Sequence, residues 1–238
     1  MTERFEDWPQ KTKILIILAH PDDPEFFLGG TIARWTQAGH TVQYVLLTKG
    51  EKGTSPEYPD PQQLAAIRQS EQKAAAAVLG VTQVEILDYS DGYLTPDLEK
   101  RKVVTRLIRK AKPDVVVSCD PQSYYIGNTY LNHPDHRAAG QIVVDAVFPA
   151  TGNRSFFPEL IEEGFPAHRV AELWLSLPNL PNVEVDVSEQ WEKRTEALLR
   201  HKSQIGNPET FTKQMQDRRA ENGGSMGEYI ERFRRIIF

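Results

Sequence analysis

The chain has a single cysteine, Cys119, in 238 residues. An intrachain disulfide and a cysteine-rich metal site are therefore excluded. No Gly-x-Gly-x-x-Gly fingerprint and no P-loop follows the first apolar run, which weighs against a nucleotide-binding role. No apolar stretch approaches the roughly 20 residues that a membrane-spanning helix needs. Positive charge is not in excess either: 28 Lys and Arg face 33 Asp and Glu, a formal net charge of −5. That balance argues against nucleic acid or an anionic membrane as the main partner. Residues 1–11 are polar and lack the apolar core of a secretory signal, so a cytoplasmic location is expected. Local basic groups such as Lys100-Arg101-Lys102 and Arg218-Arg219 stand among acids and small residues and read as solvated helix faces.

What is present suits a globular protein with a full core: 39% of the residues are hydrophobic and 9% aromatic. Residues 14–19 form an apolar run that predicts a buried parallel strand. Gly29-Gly30 then predicts a turn, and 31–38 a helix. A second strand is expected over 42–48, a Pro-rich loop over 54–61 and an Ala-rich helix over 62–79, closed by Gly80. A strand over 84–87, a loop over 88–96, a helix over 97–110 and a strand over 114–119 follow. Cys119 ends that last strand, where a buried, inert thiol is expected. Repeated strand–helix units with short connections predict an α/β fold, a mostly parallel sheet with helices on both faces.

Beyond residue 150 the pattern changes. An ordered loop is expected over 151–167, and strands over 170–177 and 183–187 joined by a turn at 178–181. Ser188 is positioned to cap a helix running to about residue 201. No disordered linker or internal repeat interrupts the chain, so a single domain spanning 1–238 with a C-terminal strand and helix extension is expected.

Two related tetrapeptides stand out, His20-Pro21-Asp22-Asp23 and His133-Pro134-Asp135-His136. The first ends the first strand, and the second follows the loop after the fourth and opens a helix. In such sheets ligands bind outside the carboxyl ends of the strands, so the topology can bring the two motifs to one rim. Imidazole nitrogen and carboxylate oxygen are ligand types of a catalytic zinc or similar divalent ion, which takes three protein ligands and keeps one position for water. His20, Asp23 and His136 can supply such a set. Asp22 is placed to act as base on that water, His133 can face the substrate, and Asp135 can hold His133 in its charged form.

The strand with Ala19-His20-Pro21-Asp22-Asp23, followed by Gly29-Gly30-Thr31, resembles the PIG-L/LmbE family of zinc-dependent N-acetylglucosaminyl deacetylases. The resemblance continues through Leu47-Thr48-Lys49-Gly50-Glu51, Arg68-Gln69-Ser70-Glu71, Asp91-Gly92, Lys112-Pro113-Asp114-Val115-Val116 and His133-Pro134-Asp135-His136. It then reaches Lys193 and His201-Lys202-Ser203-Gln204 and so spans nearly the whole chain. It implies a Rossmann-like fold, zinc on His20, Asp23 and His136, Asp22 as general base, and charge stabilisation by His133 with Asp135. It also implies substrate contacts from Arg68, Asp91 and His201. One departure stands out: where some members carry a tyrosine two residues before the position of His133, this chain has Leu131, with Tyr130 beside it as a substitute.

The expected activity is hydrolytic removal of an N-acetyl group from an N-acetylglucosamine-type sugar or its conjugate, with metal-bound water as nucleophile. The alternatives are a metal-dependent amidase on another N-acyl compound and a non-catalytic Rossmann-like binding protein. The tyrosines at 124, 125 and 130 in the loop before His133 suit a sugar ring. The identity of the divalent metal and the formation of a homo-oligomer are left open by the sequence.

Overall fold

The computed structural model describes Trp8 and residues 11–53, 60–128, 130–222 and 228–238. The first half alternates β1 (Lys13–Leu18), α1 (Asp23–Gln37), β2 (Thr41–Thr48), α2 (Pro61–Val78), β3 (Gln83–Tyr89), α3 (Leu98–Ala111) and β4 (Val115–Cys119). A two-stranded hairpin, β5 (Tyr125–Ile126) and β6 (Tyr130–Leu131), leads into α4 (Pro134–Asp145), which runs on into a π-helical turn at Ala146–Thr151. The remainder holds α5 (Glu159–Glu162), β7 (Glu172–Ser176), β8 (Val183–Asp186), α6 (Trp191–Leu198), α7 (Lys202–Ile205), α8 (Pro208–Asn222) and β9 (Ile230–Ile237).

Seven strands form one sheet in the order β3-β2-β1-β4-β7-β9-β8. The pairs from β3 to β7 are parallel, and β9 runs antiparallel to both β7 and β8. β1 lies in the interior of the sheet, and its alternate side chains feed two cores. Ile14, Ile16 and Leu18 pack with Leu28, Ile32 and Trp35 of α1 on one face. Leu15 and Ile17 pack with Val104 and Ile108 of α3 and Ile142 and Val143 of α4 on the other. Burying each such side chain contributes roughly 1.5–3 kcal/mol, which explains why a strand covered on both faces reads as an unbroken apolar run.

α1 begins at Asp23, well before the helix expected at residue 31. Pro24 fits the first turn, where its missing N–H costs nothing. The helix breaks at Leu28 (φ −152°, ψ 25°), which frees the next amides. Glu231 of β9 accepts the N–H groups of Gly30 at 3.0 Å and Thr31 at 2.7 Å, and Arg194 lies 3.5 Å from the same carboxylate. The Gly29-Gly30 pair thus sits within a broken helix rather than a turn.

β9 was not expected from the sequence, and it separates β7 from β8, so the turn at 178–181 does not close a hairpin. Ser188 opens a short 3-10 turn instead of capping α6, and its hydroxyl donates to Asp186 Oδ1 at 2.6 Å. The expected loop over 151–167 holds the one-turn α5 and is ordered by buried Arg109, whose Nη2 donates to the carbonyls of Ala150, Asn153 and Phe156. Of the expected Pro-rich loop, 54–59 lie outside the described residues, Asp60 caps α2 and Pro61 is its first residue.

Candidate active site

β1 ends at Leu18, and the chain turns at once through His20 to Asp23. The Asp23 carboxylate fixes that turn by accepting the N–H groups of Ala19 at 3.1 Å and His20 at 2.8 Å. His136 is brought across from the first turn of α4, where Pro134 occupies an early position that needs no amide. α4 can lie so close because Gly140 faces the end of β4. A side chain there would overlap the Cys119 carbonyl oxygen.

His20, Asp23 and His136 converge. His20 Nδ1 lies 3.3 Å from His136 Nε2 and 3.5 Å from Asp23 Oδ2, and His136 Nε2 lies 3.1 Å from Asp23 Oδ1. Donors held about 2.0–2.1 Å from a tetrahedral ion stand roughly 3.3 Å apart, so this set is spaced to share one ion. The outward nitrogens are also held. His136 Nδ1 meets Asn132 Oδ1 at 2.9 Å, and His20 Nε2 meets Asp91 Oδ1 at 3.0 Å and Asp135 Oδ2 at 3.4 Å. Oriented imidazoles with acceptors behind them are the usual arrangement around a metal. Two further donor groups share His20, namely His20 with His133 and His136, and His20 with Asp91 and Asp135, each within 4.8 Å.

The electrostatics favour a cation here. Burial pulls the His20 imidazole down, but Asp23, Asp135 and Asp91 outweigh it and leave its pKa well above the usual value. Burial would raise Asp23, yet the His136 and His20 charges win and hold its carboxyl far below the carboxylate range. Asp91 is likewise brought to about 2, against burial, by its bond to His20.

Asp22 is in the opposite condition. Burial raises its pKa, Arg68 opposes the rise, and the adjacent Asp23 charge adds to it. Its Oδ2 lies 3.1 Å from Arg68 Nη2. Arg68 was expected to touch substrate, but it is buried. Its guanidinium also donates to Pro21 O at 2.5 Å and Gly50 O at 2.8 Å. Gly50 has φ 65°, and a Cβ there would collide with that guanidinium, so glycine serves both the backbone and the neighbour.

Asp135 does not hold His133 through its carboxylate, which accepts Gly92 N at 2.7 Å and Leu94 N at 3.2 Å and faces His20. Its backbone N–H donates to His133 Nδ1 at 3.2 Å. That bond places the ring proton of a neutral His133 on Nε2. Burial first, and then the His20 and His136 charges, push His133 below its usual pKa, against the charged form expected of it. His201, expected to line the site, is fully buried, with Nε2 3.1 Å from Glu25 Oε2. Tyr130 stands on the exposed hairpin, 59% accessible, beside Leu131 at 71%. Sequence reasoning missed Asn132, Gln72 and Glu25, although the position of Asn132 four residues before His136 is a helix-spaced clue.

Adjacent carboxylates and paired imidazoles at the carboxyl ends of parallel strands define an α/β protein with a centre suited to a divalent cation. The chain belongs to the PIG-L family: the family pattern described as GlcNAc-PI de-N-acetylase matches residues 15–147. It is 37% identical over 193 residues to the diacetylchitobiose deacetylase of Thermococcus kodakarensis, covering 81% of this chain and 70% of that one. It is 33% identical over 206 residues to a probable N-acetyl-alpha-D-glucosaminyl L-malate deacetylase 2 of Bacillus anthracis, covering 84% of each. The solved N,N'-diacetylchitobiose deacetylase of Pyrococcus horikoshii superposes with a TM-score of 0.86 at 31% identity, covering 98% of this chain and 85% of that one. The mostly parallel sheet flanked by helices is the fold of these deacetylases.

Proposed function

We propose that this protein hydrolyses the N-acetyl group of an N-acetylglucosamine-type amino sugar or its conjugate, releasing acetate and a free amine. The observation that carries the reading is the convergence of His20, Asp23 and His136 at 3.1–3.5 Å beside a second carboxylate whose pKa is raised. The relatives named as sugar deacetylases support it. His20, Asp23 and His136 would hold a divalent ion, with zinc the choice that two imidazoles and one carboxylate favour. When bound, the ion would supply Lewis-acid polarisation of the amide carbonyl and acidify a water molecule.

The chain's own groups do the rest. Arg68 takes Asp22 Oδ2, and no partner for Oδ1 is found among the described residues. Asp22 accepts a proton from the attacking water there and returns it to the amide nitrogen as the C–N bond breaks. A carboxylate with a raised pKa is a stronger base than an ordinary one. His133, proton on Nε2, donates to the carbonyl oxygen as charge develops on it. Asp91 and Asp135 act on the centre through His20 rather than on the substrate. The exposed Tyr124, Tyr125 and Tyr130 offer aromatic faces for the sugar. No helix among the described residues is long and apolar enough to cross a membrane.

Release of free amine from N-acetylglucosamine and N,N'-diacetylchitobiose, with and without chelator, tests the proposal. Chelator-sensitive release from the sugars, and little from simple acetamides, is expected. Equal turnover of unrelated acetamides would contradict the substrate class.

A further inference from the structure

The Asp22 backbone is left-handed, with φ 94° and ψ −28°. Non-glycine residues enter that region at a cost, and such strain persists only where the surroundings enforce it. Its amide donates to Gln72 Oε1 at 2.7 Å. Gln72 is wholly buried, and its Nε2 lies 3.0 Å from each oxygen of Glu25. Glu25 is also wholly buried, and His201 Nε2 reaches it at 3.1 Å. Burial disfavours charge on His201, but Glu25 outweighs that and raises its pKa.

The polarity of this chain of bonds is determined. A carboxylate accepts and does not donate, so the NH2 end of Gln72 must face Glu25 and its oxygen must face the Asp22 amide. Arg68 and Gln72 are four residues apart on α2 and therefore share a face. One grips the Asp22 side chain and the other its backbone. We propose that Gln72, oriented by Glu25 and His201, is a positioning residue that holds Asp22 left-handed and so aims its carboxylate at the reacting water. This rests on the reading of Asp22 as the base.

The test compares Gln72→Leu, Glu25→Gln and the exchange Gln72→Glu with Glu25→Gln, alongside Asp22→Asn. The exchange keeps size and three of the four hydrogen bonds, while the second contact between positions 72 and 25 becomes oxygen against oxygen. Its carboxylate at position 72 accepts both the Asp22 amide and the side-chain NH2 now at position 25, whose carbonyl oxygen accepts from His201. Measurements are kcat, KM, bound metal and Tm, plus a crystal structure of the Gln72→Leu protein. Gln72→Leu should lower kcat about 10- to 100-fold, the cost of misplacing a reacting group, with KM and metal unchanged. The exchange should restore kcat, and Asp22 should leave the left-handed region in the Gln72→Leu structure. If Gln72→Leu does not fold, Gln72→Met replaces it. Unchanged kcat in the Gln72 variant, or a loss that the exchange fails to restore while its Tm matches the parent, overturns the inference. So does a variant structure with Asp22 unmoved, whatever the substrate. An active Asp22→Asn would instead defeat the base reading itself.

Discussion

On the α4 side of the strand-end rim, Asp23 receives two backbone amides and two imidazoles, and its carboxyl is held far below the usual range. On the α2 side, Asp22 has one guanidinium against partial burial and the neighbouring Asp23 charge, and its carboxyl is pushed up. The two residues are sequence neighbours, yet a left-handed residue at Asp22 turns them to different surroundings. Opposite pKa shifts on adjacent carboxylates mark different work, one group staying charged and one able to exchange a proton. On the proposed reading, the imidazole side keeps a cation and the α2 side moves a proton.

The strongest way to break that division is at the imidazoles. His20→Ala and His136→Ala should each lose bound metal by elemental analysis and lose activity with it. Full metal retention in both would remove the basis for the α4 side. Asp91→Ala should weaken metal affinity about 10- to 100-fold, as loss of a partner behind a ligating imidazole does. Titration against a competing chelator measures it, and an unchanged affinity with a raised KM would return Asp91 to the substrate.

Arg68→Ala sharpens the α2 side. Because Arg68 spends its guanidinium on Asp22, Pro21 and Gly50, kcat should fall more than KM rises. A pure KM effect in steady-state kinetics would restore the substrate-contact role implied by the family resemblance. The smallest effect is on stability. His201 has a folded pKa above its ordinary value of 6.5. Its contribution is therefore complete below pH 6.5 and is lost as the pH rises through the higher folded value. From pH 6 to about 9 the parent Tm should fall relative to His201→Gln, each ~1 kcal/mol of lost stability lowering it by about 2–4 °C at this size. Parallel Tm curves would mean that His201 is neutral in the fold.

The legible parts of the sequence were those with local causes. β1 is apolar because both its faces are covered, and the two His-Pro-Asp motifs carry their chemistry in a few residues. Several partners behind them, unlike Asn132 beside His136, were not legible, because they come from far along the chain. Gly92 meets Asp135 across 43 residues, and Glu25 meets His201 across 176. β9 was hidden by its charges: Glu231 is buried there only because the broken helix α1 offers it two amides and Arg194 lies beside it. α1 was read as starting late because Pro24 and Gly29-Gly30 are breakers, and nothing local signals that a distant carboxylate caps the break.

The most direct test of the division of labour is a parallel measurement of bound metal and deacetylation in Asp22→Asn and Asp23→Asn. Asp22→Asn should keep its metal and lose activity by roughly 10²–10⁴, the scale of a removed general base, while Asp23→Asn should lose the metal itself. Metal loss in Asp22→Asn, or full metal retention in Asp23→Asn, would contradict the account.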